Sequence, residues 1–308
     1  MARKIWEYNR LYDILRYYVD CCTRLQFSKV TMSGLDKIPA SGAVILAPNH
    51  VAALMDPLIM LLTGHRSIGF GARSDIFMKP TVAKILNWLR ILPLARERNG
   101  LQEVAKNFET MDDIVDCLRH EVPFCMYSEG THRPERGMLP VKKGIFRFAR
   151  KAAEDLGQPV YVVPIGVDYE YFFRCMGKVT LQVGEPIEVS SYFEAHRDES
   201  DAEIYKNLCD ILHTRVVDLL DSVPERKHNL KPLRFFALLV ALPVWLALAV
   251  LSLPIWLPSR IILSRMEDKA WTQTVYYAVR LLLPVFWPFF YAFGWLSNKY
   301  VDLINDYR

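Results

Sequence analysis

His50 and Asp56 are the residues of this sequence whose types and spacing are best suited to chemistry. A neutral imidazole can take a proton from an attacking hydroxyl, and a carboxylate on its other ring nitrogen fixes the tautomer and stabilises the imidazolium that forms. Five residues separate the two, so they would not share a face of one straight helix, and a turn leading into a helix would have to bring them together. The pair predicts a general base with an orienting partner.

Both residues also have an ordinary structural explanation. Asp56 precedes Pro57, an order that is typical of a helix N-cap followed by proline at the first helical position. A lone histidine is more often a surface or core residue than a base. The catalytic interpretation of His50 therefore depends on a second motif.

A second group of polar residues follows the apolar stretch 122–127. A turn there would expose backbone N–H groups, and several cations come after it; such donors suit a phosphate group. Glu129 could hold the turn or orient an acceptor hydroxyl, and the alternative for the whole segment is a charged surface loop. The candidate substrate-binding residues of this segment are Glu129, Gly130, Thr131, Arg133 and Lys142.

Two weaker signals lie outside these motifs. Arg96 and Arg98 follow a short apolar segment and could supply further phosphate donors. Pro164 lies in an apolar stretch, where it could shape an acyl pocket or could merely end a strand.

Strand-like and helix-like stretches alternate through the middle of the chain and must position these side chains. The strand candidates are short and apolar, at residues 43–47, 68–72, 122–127, 160–167 and 179–183. The helix candidates are residues 101–120, 142–156 and 201–220. This alternation predicts an α/β fold with a central sheet.

The two ends of the chain predict membrane contact. Residues 4–27 carry apolar and basic side chains at helical spacing, which is typical of an interfacial helix and equally of an amphipathic helix packed on the domain. Residues 235–258 are 24 residues without a charge, and residues 271–296 are apolar again apart from Arg280. They predict a membrane hairpin, spanning or re-entrant, with buried helices of a soluble core as the alternative. Basic residues beside both arms predict cytoplasmic ends.

Composition limits the remaining possibilities. The net charge of +4 is too small to predict a nucleic-acid partner. The six cysteines show no metal-binding or disulfide spacing, and the N-terminus lacks the apolar core of a secretory signal, so we expect the catalytic domain to face the cytoplasm. The predicted division is an interfacial helix (1–29), a catalytic domain (30–222), a polar linker (223–234) and the hairpin with a short tail (235–308).

Four blocks between residues 30 and 189 resemble, in order, the glycerophospholipid acyltransferase family, which includes 1-acylglycerol-3-phosphate and glycerol-3-phosphate acyltransferases. Asn49-His50 with Asp56 resembles the H-x4-D block of that family, and residues 128–131 resemble its F-P-E-G-T-R block. Residues 94–98 resemble its arginine-bearing block, and residues 163–165 resemble its V-P-[IV] block. The resemblance implies a central mixed sheet flanked by helices, with His50 as base and Asp56 as its partner. It places Asn49, Arg96, Glu129, Gly130 and Thr131 in the acceptor site.

The chain departs from the family pattern at three places. Five residues rather than four separate His50 from Asp56. Ser128 stands where proline is usual, and His132 stands where arginine is usual. The extra residue and the run 139–144 resemble a glycerol-3-phosphate acyltransferase branch, whose members also carry a C-terminal apolar hairpin.

The resemblance implies a membrane-bound acyltransferase of phospholipid biosynthesis. It would move a fatty acyl group from acyl-coenzyme A or acyl carrier protein to the free hydroxyl of 1-acyl-sn-glycerol-3-phosphate (lysophosphatidate). Glycerol-3-phosphate is the alternative acceptor, and a non-catalytic membrane protein that binds lipid is the alternative of another class. The expected partners are membrane lipids, the thioester carrier and one of the two acceptors. No metal or bound cofactor is expected, because proton transfer and positioning can suffice.

Overall fold

The computed structural model describes residues 4–64, 67–94, 107–223 and 232–306. Its strands are β1 (Lys29–Ser33), β2 (Ala43–Pro48), β3 (Gly69–Arg73), β4 (Ile91–Leu94), β5 (Phe124–Cys125), β6 (Val160–Tyr169), β7 (Lys178–Val183) and β8 (Ile187–Glu188). Its helices are α1 (Arg10–Arg24), α2 (Met55–Leu61), α3 (Pro80–Trp88), α4 (Asn107–Arg119), α5 (Gly144–Leu156), α6 (Val189–Ala195), α7 (Asp201–Asp221), α8 (Pro232–Leu251), α9 (Leu253–Ser264), α10 (Thr272–Leu281) and α11 (Trp287–Asp306).

The strands of the described residues form one sheet of eight, in the order β1-β7-β6-β2-β5-β3-β4, with β8 beside the first half of β6. β6 runs parallel to β2 and antiparallel to β7 and β8. The other neighbouring strands pair in parallel. The expectation of a central mixed sheet flanked by helices is therefore confirmed.

Helices cover both faces of the sheet. α4, α5 and α7 form one apolar core with it, in which Phe146 and Leu212 are fully buried. α1, α2 and α10 form the other core, in which Ile59 and Tyr277 are buried. Because both faces are covered, β2 and the middle of β6 are continuous apolar runs rather than alternating ones.

Sequence patterns locate β2, β3, β6 and β7 to within two residues of their ends. They miss β1 and β4, which lie at the two edges of the sheet and carry few fully buried side chains. They also miss the short helices α3 and α6, and they place the start of α2 at Pro57, two residues after its first residue, Met55. The predicted strand 122–127 is too long, since only Phe124 and Cys125 pair. The predicted helix 142–156 begins two residues later, at Gly144.

The N-terminal segment is helical only over Arg10–Arg24, so the predicted helix 4–27 is wrong at both ends. Ile5 precedes the helix and packs into the core, and Trp6 stacks on the ring of His120 with the centroids 3.7 Å apart. α1 buries one face against the domain and exposes another. The exposed apolar side chains of α1 are Leu11, Ile14, Leu15, Tyr17 and Tyr18. The buried face of α1 fits the alternative of an amphipathic helix packed on the domain, and its exposed apolar face has the pattern of an interfacial helix.

Among the described residues, no single helix is both long and apolar enough to cross a bilayer. Two helix pairs have the required length and composition only when they are taken together, and each pair is bent. Phe235–Leu251 and Leu253–Ser264 meet at 72°, and Lys269–Leu281 and Pro284–Leu303 meet at 109°.

α10 belongs to the second predicted arm of the hairpin, yet it packs against α1 and the catalytic domain. Arg280, the charge that interrupts this arm, is fully buried and donates to the backbone oxygen of Cys22 at 2.7 Å. The rings of Tyr277, Trp287 and Tyr291 lie around its guanidinium. This helix is therefore part of the protein interior rather than a free apolar arm.

Candidate active site

The two polar motifs meet because the strands before them are neighbours in the sheet. β2 and β5 pair in parallel, so their carboxyl ends lie at the same edge. β2 leads into His50, and β5 leads into Glu129. β6 lies on the other side of β2 and runs in the same direction, so its last residues reach the same edge. This edge is the candidate active site.

His50 and Asp56 are in direct contact, with His50 Nδ1 lying 2.7 Å from Asp56 Oδ2. The same carboxylate oxygen accepts the backbone N–H groups of Val51 and Ala52, at 2.8 and 2.9 Å. Because this oxygen acts as an acceptor, Nδ1 must carry the proton, and Nε2 is left to take one. The side chain of His50 is 18% exposed, whereas that of Asp56 is fully buried. The arrangement is that of a base with an orienting carboxylate.

The predicted N-cap role of Asp56 is wrong. α2 begins at Met55 with Leu54 as its N-cap, so Asp56 lies inside the first helical turn. Its carboxylate reaches back to the backbone before the helix instead of capping the helix itself. Ala53 in this turn has a φ of 45°, in the left-handed region. The tight turn brings into contact two side chains that are six positions apart.

Tyr169, the last residue of β6, is a further partner of Asp56 that sequence reasoning missed. Its hydroxyl donates to Asp56 Oδ1 at 2.7 Å. Burial, together with the Asp56 carboxylate, raises the pKa of Tyr169 well above its ordinary value, so the hydroxyl stays protonated and remains a donor. Both oxygens of Asp56 are therefore held by donors, which fixes the carboxylate for His50. The sequence offered one signal for this role, because Tyr169 follows the apolar stretch that contains Pro164.

Glu129 connects the two motifs. Its Oε1 accepts the backbone N–H of His50 at 2.6 Å, and its Oε2 accepts that of Leu139 at 2.8 Å. The residue is 3% exposed. Burial raises the pKa of Glu129 to about 7, although both backbone N–H groups favour the ionised form. Of the two roles considered for Glu129, these contacts support holding the turn.

The side chain of Asn49 is bonded to the protein backbone, and its predicted role in substrate binding stays a prediction. Its amide exchanges two hydrogen bonds with the backbone of Val167, and it also donates to the backbone oxygen of Gly137 at 3.3 Å. The residue is 1% exposed, and both of its amide N–H donors are used within the protein. Asn49 thus extends the pairing of β2 with β6 and fixes the backbone that carries His50.

Gly130, Thr131, Arg133 and Lys142 belong to the segment that follows Glu129. Gly130 has a φ of 71°, which favours glycine at this turn. Thr131, Arg133 and Lys142 have exposed side chains. The backbone N–H of Arg133 donates to the backbone oxygen of His50 at 3.2 Å, so the loop is attached directly to the catalytic segment. Their binding roles stay predictions.

Arg96 and Arg98 lie outside the described residues, and their role also stays a prediction. Pro164 lies in the middle of β6, so the alternative that it ends a strand is wrong. β6 pairs with β8 up to Val162 and with β7 from Ile165 onward, so Pro164 occupies the place where the partner strand changes and no N–H is needed. The role of Pro164 in an acyl pocket stays a prediction.

Aromatic rings surround the side chain of His50. Tyr127 stacks on it with the ring centroids 4.2 Å apart, and His132 meets it edge-on at 5.2 Å. His132 Nε2 in turn lies 2.6 Å from Asp268 Oδ2. Asp268 belongs to the segment between α9 and α10, so sequence reasoning had no means of connecting it with this loop.

The edge of the sheet therefore combines a base with exposed cations. His50 Nε2 can take a proton, and the exposed side chains of Arg133 and Lys142 belong to backbone segments that bond to His50 and to Ser128. The guanidinium of Arg133 also pairs with Glu135 at 3.2 Å. Within the described ranges, no group of three or more His, Cys, Asp or Glu side chains is arranged to hold a metal ion. The expectation that the reaction needs no cofactor stays a prediction.

Residues 29–168 match the model of the Acyltransferase family. Over these residues, which make up less than half of the chain, the sequence is similar to that family, and the match supports the prediction of an acyltransferase. Among solved structures, the chain is similar to the 1-acyl-sn-glycerophosphate (LPA) acyltransferase PlsC from Thermotoga maritima. The two are 21% identical, the match covers 70% of this chain and 82% of that one, and the TM-score is 0.49. The comparison with curated proteins gave no match.

Proposed function

We propose that the protein transfers a fatty acyl group from a thioester to the free hydroxyl of 1-acyl-sn-glycerol-3-phosphate. The observation that carries this proposal is the 2.7 Å contact between His50 Nδ1 and Asp56 Oδ2 beside a loop that bears exposed cations. The family match over residues 29–168 supports the class of reaction.

His50 acts as the general base. Its Nε2 takes the proton of the acceptor hydroxyl while the hydroxyl oxygen attacks the carbonyl carbon of the thioester. The tetrahedral intermediate collapses, the carbon–sulfur bond breaks, and the new ester remains on the acceptor. The imidazolium then returns its proton to the leaving thiolate. Asp56, 2.7 Å from the other ring nitrogen, stabilises the positive charge that His50 carries between these steps.

The phosphate of the acceptor suits the charge of the loop next to His50. Arg133 and Lys142 are exposed there, and a phosphate monoester offers two negative charges and several acceptor oxygens. Lysophosphatidate and glycerol-3-phosphate share this phosphate and differ in the acyl chain. Glycerol-3-phosphate is therefore the alternative acceptor, and either coenzyme A or acyl carrier protein can carry the acyl donor.

A lipid acceptor and a fatty acyl chain favour a reaction at a membrane surface. Exposed apolar side chains on α1, and on α8 at Phe236, Val240 and Val244, support attachment to a bilayer. The bent pair Phe235–Leu251 and Leu253–Ser264 fits insertion into one leaflet better than a straight crossing. In this proposal the catalytic domain faces the cytoplasm.

The test is an acyl-transfer assay with the purified full chain in mixed micelles. Labelled acyl-coenzyme A or acyl carrier protein is supplied with lysophosphatidate, glycerol-3-phosphate or lysophosphatidylcholine, which lacks the phosphate monoester. We expect product with lysophosphatidate, and we expect His50→Ala to lower the rate about 100-fold or more. The control is His196→Ala, because the ring of His196 stacks on Tyr192 at the end of α6, outside the proposed active site.

Three outcomes would change the proposal. Transfer to glycerol-3-phosphate alone would select the alternative acceptor. Lipid binding without transfer to any acceptor would select the non-catalytic alternative. Unchanged turnover in His50→Ala, in a protein that still folds, would remove the proposed mechanism.

A further inference from the structure

His132 and Asp268 form a second histidine–carboxylate pair next to the first. His132 Nε2 lies 2.6 Å from Asp268 Oδ2. The ring of His132 approaches that of His50 edge-on, with 5.2 Å between the centroids. Trp271, three residues after Asp268, meets the ring of His132 edge-on, with the centroids 6.3 Å apart. Two residues from the C-terminal part of the chain therefore contact a neighbour of the proposed base.

The second pair joins segments that are far apart in sequence. His132 lies in the loop after β5, and Asp268 follows it by 136 residues, between α9 and α10. Asp268 Oδ1 accepts the backbone N–H of Ala270 at 2.9 Å and caps the short turn Lys269–Trp271. One carboxylate oxygen thus orders its own turn, and the other is directed at His132.

Asp268 carries its charge in the neutral range. Its partial burial opposes ionisation, but the hydrogen bonds from His132 and from the Ala270 N–H outweigh this effect, and the pKa of Asp268 lies below its ordinary value. A charged carboxylate on one nitrogen of an imidazole fixes the ring orientation and favours a proton on the ring. Asp268 can therefore act on His132 both by position and by charge.

We propose that Asp268 is a positioning residue of the active site, which holds His132 against His50, so that the C-terminal region completes the site. The inference rests on the proposed acyl transfer at His50. Tyr127 stacks on the His50 ring and His132 meets it edge-on, so the two rings together restrict the imidazole to the orientation that serves proton transfer.

The charged groups around the two imidazoles set the expected pH dependence. Asp56 and Glu129 lie beside His50, and Asp268 lies beside His132. Asp268→Asn removes the negative charge that lies 2.6 Å from His132 Nε2. The pH profile of acyl transfer is then expected to differ from that of the wild type, and the change is expected to be small because Asp268 is half exposed and screened by solvent.

The experiment compares Asp268→Asn with Glu267→Gln, which removes a neighbouring exposed carboxylate. Acyl transfer by the full chain is measured between about pH 6 and pH 9, and His132→Gln and the double variant with Asp268→Asn complete a cycle. We expect Asp268→Asn to lower kcat/KM about tenfold and to change the pH profile, and we expect the double variant to be no less active than His132→Gln. Glu267→Gln is expected to stay within about twofold of the wild type.

A second readout needs no substrate. Amide hydrogen exchange in residues 130–137 is expected to be faster in Asp268→Asn than in the wild type, and unchanged in Glu267→Gln. Equal exchange in the two variants would show that the contact does not hold this loop. A wild type without acyl transfer would overturn the proposed function and the positioning role together. An active wild type with an unaffected Asp268→Asn variant would overturn the positioning role alone.

Discussion

Replacing Glu129 with Gln separates what this side chain does for stability from what it does for the site. The carboxylate is buried and accepts one backbone N–H on each oxygen, from His50 and from Leu139. Gln keeps one acceptor oxygen and turns an NH2 group toward the second N–H, so one buried donor is left without a partner. If that donor belongs to His50, the catalytic residue loses an anchor, and we expect kcat to fall about tenfold.

The effect of Glu129→Gln on the free energy of unfolding is expected to depend on pH, and the raised pKa of Glu129 determines the direction of this dependence. The pKa of Glu129 rises from 4.5 to about 7 on folding, so its contribution to stability is fully present below pH 4.5 and is lost as the pH rises through 7. Between pH 5 and pH 8 this loss amounts to about 2 to 3 kcal/mol, at about 1.4 kcal/mol for each pKa unit. Glu129→Gln has no titratable group at this position. The free energy of unfolding of the variant, relative to that of the wild type, should therefore rise by this amount between pH 5 and pH 8.

The assay is denaturant unfolding at pH 5 and pH 8 in one detergent, with acyl transfer measured in parallel. Glu135→Gln is the matched control, because Glu135 belongs to the same loop and its side chain is 65% exposed. The control should show the pH dependence of the wild type. An identical fall in stability between the two pH values in the wild type and in Glu129→Gln would refute the reasoning.

Two further substitutions test the supports of the catalytic pair. Tyr169→Phe removes the hydroxyl that donates to Asp56 Oδ1. We expect the free energy of unfolding to fall by about 1 to 3 kcal/mol in thermal unfolding, and kcat to fall about tenfold in the acyl-transfer assay. An unchanged kcat would show that Asp56 needs no second hydrogen-bond donor. Asn49→Ala removes three hydrogen bonds to Val167 and Gly137, and we expect a loss of about 2 to 4 kcal/mol in unfolding free energy. A variant of Asn49 with full stability and a raised KM for the acceptor would instead favour the predicted role in substrate binding.

The central part of the fold was predictable because its strands are buried on both faces. Residues 43–48 and 160–169 are apolar over most of their length and are bounded by polar segments, so their pattern indicates strands directly. The edge strands β1 and β4 lack this signal because solvent reaches them. Pro164 was ambiguous in the sequence, since its place at a change of partner strand depends on the order of strands in the sheet.

The catalytic pair was predictable from local spacing, but its supports were not. His50 and Asp56 are six positions apart and lie in one turn. Tyr169 and Asp268 reach the site from 113 and 136 positions away along the chain, measured from their partners Asp56 and His132. Contacts at such separations depend on the tertiary fold, and no periodicity in one sequence reports them.

The N-terminal segment shows the limit of periodicity in another way. Its helical pattern extends to Ile5 and Trp6, but these residues dock on the core and on His120 before the helix begins. Tertiary packing therefore overrides the local pattern at that end.

The carboxylate of Glu129 has a consequence for how such enzymes could be recombined. It accepts backbone N–H groups from two loops, from His50 at a separation of 79 positions and from Leu139 at a separation of 10 positions. A chimaera that takes only one of these loops from a relative would still contain His50, Asp56 and Glu129. One backbone N–H, that of His50 or that of Leu139, would then no longer reach the Glu129 carboxylate. The two loops therefore depend on each other, and a chimaera should exchange both of them together.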